Sequence, residues 1–173
     1  MEHEHCDACG FDGAALDDAS LLAELDALGP RWRALIDRSS DRLRTRPAPE
    51  VWSALEYAAH SRDITALHAY GVEQALTIDE PVFPAIAGDE LIESAAATYS
   101  SAEPGDVVDA LDRAAAQLAQ LARDAGPTAW SRGLTIGDAR SDVRRMLEHA
   151  LHDSVHHLDD VERGLEQLRA GRA

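Results

Sequence analysis

From Glu148 to His157 the chain reads Glu-His-Ala-Leu-His-Asp-Ser-Val-His-His, which places four of its eight histidines within nine residues and includes no glycine or proline. Such a stretch suits a helix. Residues four apart on a helix lie about 40° apart around its axis, so His152 and His156 can aim two imidazoles at one ion from adjacent turns. A neutral imidazole is a common ligand for zinc, nickel and related ions, but two such ligands ordinarily need a third from elsewhere in the chain. His60 is the residue available. On a helix its face also carries Ile64, Leu67 and Gly71, with Glu56 one turn earlier and Asp63 about 60° away, so a carboxylate is at hand to orient the imidazole or join the ligands. The alternative is a buried histidine satisfied by a carboxylate.

A second group with chemical potential is the head, His3-Glu4-His5-Cys6-Asp7-Ala8-Cys9-Gly10-Phe11. A CxxCG turn brings two thiolates to one metal, and glycine permits the tight backbone. Cys6 and Cys9 make half of a tetrahedral site. His3, His5 or a bundle histidine such as His157, His149 or His68 would have to complete it. Free thiols on a flexible head, or a dithiol redox centre, are the other readings of the same spacing.

The elements that must position these groups follow from apolar periodicity and breakers. Asp18 or Ser20 can cap a first helix carrying Leu21, Leu22, Leu25 and Leu28, with Gly29-Pro30 kinking or restarting it through Trp32, Leu35 and Ile36. A second helix is expected from about Glu50 to Leu76, then an irregular stretch from Ile78 to Gly88, and a short helix capped by Asp89 and running through Ala97. A third long helix starts near Pro104 and stops at Gly126-Pro127. Trp130 to Gly137 reads as a connector, and a fourth long helix from about Asp138 to Leu168 carries the histidines. With no hairpin signal read between alternating strands, the fold class is all-α. The architecture expected is an up-down four-helix bundle with one long crossover, in a domain spanning 18–173 behind a Cys-bearing head of 1–17. Leu147, Leu151, Leu158, Val161 and Leu165 define an apolar stripe centred well over 100° from His152 and His156. These two histidines therefore belong to a cleft near one end of the bundle or to a solvated polar face.

Composition narrows the function. The chain has 173 residues and a net charge of −16, and all 16 basic residues are arginines. That balance argues against nucleic acid, whose phosphates call for a basic face. The acidic start lacks the basic and apolar runs of a secretory signal, and no segment approaches the ~20 apolar residues of a membrane span, so a cytoplasmic protein without membrane contact is expected.

Trp52-x3-Glu56-x3-His60-x2-Asp63, followed near the C-terminus by His152-x3-His156, resembles the DinB-like superfamily of metal-binding four-helix bundles. That superfamily includes the metal-binding domain of mycothiol-dependent maleylpyruvate isomerases and the bacillithiol and mycothiol S-transferases. The resemblance runs from about Ser20 onward. It implies a metal triad of His60, His152 and His156; Glu148-x3-His152 is a second register, one turn earlier. His157-Leu158-Asp159 stands where many members continue with Arg-Gly-Gln. The resemblance further implies a divalent ion, zinc or nickel, with open positions at which a low-molecular-weight thiol becomes a thiolate nucleophile for a small electrophilic substrate. On that reading Tyr57 and His149 are candidates for proton transfer and Arg62 for binding a carboxylate of the thiol or substrate. Three functions remain open: a metal-dependent thiol S-transferase or related enzyme, a metal-binding or sensing protein without turnover, and a structural bundle. Apolar faces left over in the bundle would also suit a homodimer.

Overall fold

The computed structural model describes residues 3–85 and 89–171, without the side chains of 89–94. In chain order the elements are β1 (His5–Cys6), β2 (Phe11–Asp12), α1 (Asp18–Arg38), α2 (Ala54–Thr77), β3 (Val82–Phe83), α3 (Asp89–Ser100), α4 (Pro104–Ala125), β4 (Gly133–Ile136), β5 (Ala139–Asp142) and α5 (Val143–Ala170). The expected Asp89 cap lies outside the described side chains.

Local chemistry sets the helix ends. Asp17 caps α1, its carboxylate accepting from the Ser20 amide at 2.7 Å, and α1 runs unbroken through Pro30. The cap is thus one residue earlier than expected. A proline inside a helix removes one amide bond, but here Leu28 and Trp32 on either side of it are fully buried, so packing holds the helix together. Helix α2 begins at Ala54 because Ser53 and Glu56 form a reciprocal capping box, which satisfies two amides at once. Pro104 occupies the first turn of α4, and Asp142 caps α5.

Four long helices form the bundle, but their order is not simple up-down. Helix α1 packs on α4 and α5, and α2 on α4 and α5, whereas the consecutive pair α1 and α2 barely touch. Around the bundle the order is α1, α4, α2, α5. The connections 39–53 and 126–142 each span a diagonal.

The fold also departs from all-α in carrying two small sheets. β1 and β2 pair antiparallel in the head, and β3, β4 and β5 form a mixed sheet in which β3 runs parallel to β4. The β4–β5 hairpin turns on Gly137-Asp138, with Gly137 at φ 59°. A two-residue Gly-Asp loop is a known hairpin signal, hidden here because Ala139–Asp142 is polar rather than alternating.

The core has two halves. One gathers Leu21, Leu25, Leu28, Val72, Leu118, Trp130, Leu147 and Leu151, and the other Trp32, Leu35, Leu55, Leu111, Leu158, Val161 and Leu165. Between Leu151 and Leu158 the only buried residue of α5 is Ser154, whose hydroxyl accepts from the Trp32 indole N–H at 2.7 Å. The histidine-rich segment is the polar interval of α5 between these halves.

Candidate metal centre

Three groups of metal-ligating side chains occur among the described residues, and all draw on the polar interval of α5. Cys6, Cys9, His152 and His156 form one, His60, Asp153 and His157 a second, and Glu4, His149 and His152 a third; within each, one ligand atom per residue lies within 4.8 Å of the others. The structure therefore divides the expected triad. His60 meets Asp153 and His157, while His152 and His156 meet the cysteines. The reason is rotational. One residue along a helix is a turn of about 100°, so 153 and 157 face α2 while 152 and 156 face the head.

In the second group, Asp153 Oδ1 lies 3.7 Å from His60 Nε2 and 3.5 Å from His157 Nε2. Both are too long for good hydrogen bonds and close to the ~3.3 Å edge of a tetrahedron built on zinc–nitrogen and zinc–oxygen bonds of about 2 Å. Asp153 Oδ2 is buried without a hydrogen-bond partner. His157 Nδ1 donates to Asp160 at 3.0 Å, which leaves Nε2 as the lone-pair nitrogen, an orientation typical of ligating histidines. These residues fit a divalent ion. Burial pushes the Asp153 carboxyl up, but His157 and His60 outweigh it and hold it well below the usual carboxylate range. Burial opposes the charge on His157, and Asp153 and Asp160 more than offset that and raise it. Trp52 and Tyr99 surround the His60 ring at 5.4 and 6.4 Å, and Tyr57 lies against His157 at 4.9 Å.

The carboxylates expected beside His60 are otherwise engaged. Glu56 closes the capping box and is bound by Arg46, with Nε 3.0 Å from Oε2. Asp63 accepts from Arg62 at 2.7 Å. That ion pair also occupies Arg62, which does not line the main cavity. Glu148, the alternative ligand, is fully buried and taken by Arg144, His3 and the Glu4 amide. Asp153 was missed because the Asp153-x3-His157 pair is masked by the histidine pair one residue before it.

A cavity of about 730 Å³ opens beside the second group. Asp153 and His149 reach its wall, with Arg140 and Arg145 as cationic neighbours and Ile64, Ile136 and Met146 as apolar ones. Arg140 also pairs with Glu80, and Arg145 with Glu4, both at 2.7 Å. His149 Nδ1 donates to Glu4 at 3.2 Å, so its Nε2 is left as a base. Tyr57 is not in the cavity wall; burial pushes its hydroxyl up, which keeps it protonated. The third group is poorly suited to a cation, because the Arg145 guanidinium already neutralises Glu4.

His68, also in the cavity wall, stacks on His149 at 5.2 Å and donates from Nδ1 to the Ile64 carbonyl at 2.7 Å. Burial pushes it down from 6.5 to about 4. A folded value below the unfolded one means that its contribution to stability is whole above pH 6.5 and is lost as pH falls towards 4, up to about 3 kcal/mol. His68→Leu is expected to flatten that acid limb in urea unfolding of chelator-treated protein. An unchanged pH slope would show that His68 does not carry it.

The bundle has relatives among known sequences and structures. The profile of the DinB superfamily matches residues 24–161. YfiT from Bacillus subtilis, described as "a probable metal-dependent hydrolase with an unusual four-helix bundle topology", superposes with a TM-score of 0.76 at 16% identity, over 96% of this chain and 94% of that one. A mycothiol-dependent maleylpyruvate isomerase superposes with a TM-score of 0.66 at 15% identity, over 87% of this chain and 63% of that one. No curated protein matches the sequence significantly. Among the described residues no helix is long and apolar enough to cross a membrane.

Proposed function

Because this chain belongs to the DinB superfamily, we propose that it is a metal-dependent enzyme of small molecules, a thiol S-transferase of the mycothiol or bacillithiol type, with zinc or nickel at His60, Asp153 and His157. The observation that carries this reading is the convergence of three ligand atoms beside a cavity of about 730 Å³ whose wall includes Asp153. That volume lies within the range of small-molecule sites. A divalent ion held there supplies Lewis acidity, which favours a bound thiol as its thiolate.

The chain's own groups supply the rest. Arg140, whose pair with Glu80 lies exposed at the surface, offers a guanidinium fork to a carboxylate of the thiol or its acceptor. Ile64, Ile136 and Met146 receive an apolar portion and exclude water. His149, oriented by Glu4 through Nδ1, can take the thiol proton at Nε2 and return it to the product. A water nucleophile would use the same base, so hydrolysis is the second reading, favoured by the fold shared with YfiT, itself described as a probable metal-dependent hydrolase.

Mycothiol and bacillithiol should each be supplied with an activated haloarene and an epoxide, and ester hydrolysis measured in parallel. Thiol-dependent conjugation that fails in chelator and returns with metal is the expected result. Metal-dependent ester cleavage that ignores added thiol would replace the transferase reading with the hydrolytic one.

A further inference from the structure

The head and the outer face of the α5 polar interval form a site that the proposed enzyme does not use. We infer that Cys6, Cys9, His152 and His156 bind a zinc ion, a closed Cys2His2 centre that clips the N-terminal head onto the bundle. All four are half-buried, and one ligand atom from each lies within 4.8 Å of the others. Cys6 Sγ is 3.7 Å from His156 Nδ1, close to the ~3.5 Å between sulfur and nitrogen ligands on one tetrahedral zinc.

The backbone around the thiols has the form such a site needs. The Gly10 amide donates to the Cys6 carbonyl at 2.9 Å, with Gly10 at φ 73°. This closes the Cys6-to-Gly10 turn with both thiols facing α5. Pairing of Cys6 with Phe11 across the β1–β2 hairpin holds the knuckle in shape, and the Phe11 ring packs on His152 at 5.2 Å.

Both histidines have a carboxylate behind them. Glu4 Oε1 lies 2.9 Å from His152 Nδ1, although not aligned for a hydrogen bond, and His152 Nε2 is buried with no partner. Asp160 Oδ2 lies 3.6 Å from His156 Nε2, leaving Nδ1 towards Cys6. Such carboxylate–histidine pairs orient ligating imidazoles. Four protein ligands fill a tetrahedral zinc and leave no place for a substrate. The task of the site is therefore mechanical: it ties residues 6 and 9 to residues 152 and 156 and so fixes Glu4, which holds His149 and Arg145 in the cavity wall.

The full chain should be purified under reducing conditions and its zinc content measured. Cobalt(II) is then titrated into stripped protein, because a thiolate-to-cobalt charge-transfer band reports sulfur ligation whether or not the protein is an enzyme. The wild type is expected to hold one ion with this band. Cys6→Ser/Cys9→Ser should lose the band and one equivalent of zinc, with helical content retained by circular dichroism. His156→Ala should weaken it. His60→Ala should leave it intact, so failure of the clip and failure of the proposed catalytic site give different results. Hydrogen exchange in residues 4–13 should quicken on chelation in the wild type and be insensitive to chelation in the double serine variant. A wild type without the band, zinc content unmoved by the cysteine changes, or an air-stable Cys6–Cys9 disulfide as the resting state would each overturn the proposal.

Discussion

Asp153→Asn, His157→Ala and His60→Ala are each expected to remove one equivalent of divalent metal and at least about a hundredfold of kcat/KM, a loss in keeping with a Lewis acid worth several kcal/mol. His152→Ala and His156→Ala should instead act on the thiolate-bound ion. The contrast is sharp because the compared residues are neighbours in sequence, so overall helix stability changes little between variants. Elemental analysis with parallel kinetics decides the matter. Loss of the catalytic equivalent in His156→Ala with retention in His157→Ala would restore the triad of His60, His152 and His156.

Glu148→Ala is expected to cost about 3 kcal/mol of stability, the range seen when one partner is removed from a buried ion pair. Glu148 has no exposed side-chain surface, and its carboxylate accepts from His3 Nδ1 at 2.7 Å, from the Glu4 amide at 2.9 Å and from Arg144. Arg144 continues the network to Asp18 and the Leu16 carbonyl, both at 2.6 Å. Gly13 lies so close that an added Cβ would stand 2.5 Å from the Glu148 carboxylate. Burial pushes Glu148 up, yet Arg144, the Glu4 amide and His3 hold it below its ordinary value. The sign is that of a carboxylate with a depressed folded pKa: its contribution is present at neutral pH and is lost as pH falls through the folded value. Chemical denaturation of wild type and variant at neutral and acid pH should therefore converge in acid. A constant gap down to low pH would mean that packing, not the charge network, is responsible.

Much of the bundle could be read from the chain. Pro104 and Gly126-Pro127 bracket α4 closely, because breakers act through local backbone geometry. Glu56 was harder to place. It lies one turn before His60, and nothing in that spacing distinguishes an orienting carboxylate from the capping-box partner of Ser53 that it is in the fold. Diagonal helix neighbours and the β4–β5 hairpin depended on packing, which helical periodicity does not encode.

The site divides in the same way. By itself the sequence determined that α5 carries a dense set of residues able to ligate metal, that His60 stands on another helix and that Cys6 and Cys9 share a turn, since these follow from residue type and spacing. Only the tertiary structure decided the partition, sending His152 and His156 to the head and Asp153 and His157 to His60. Adjacent residues on a helix point about 100° apart, and the rotation of α5 against α2 and the head, set by its long apolar stripe, chooses which pair meets which neighbour.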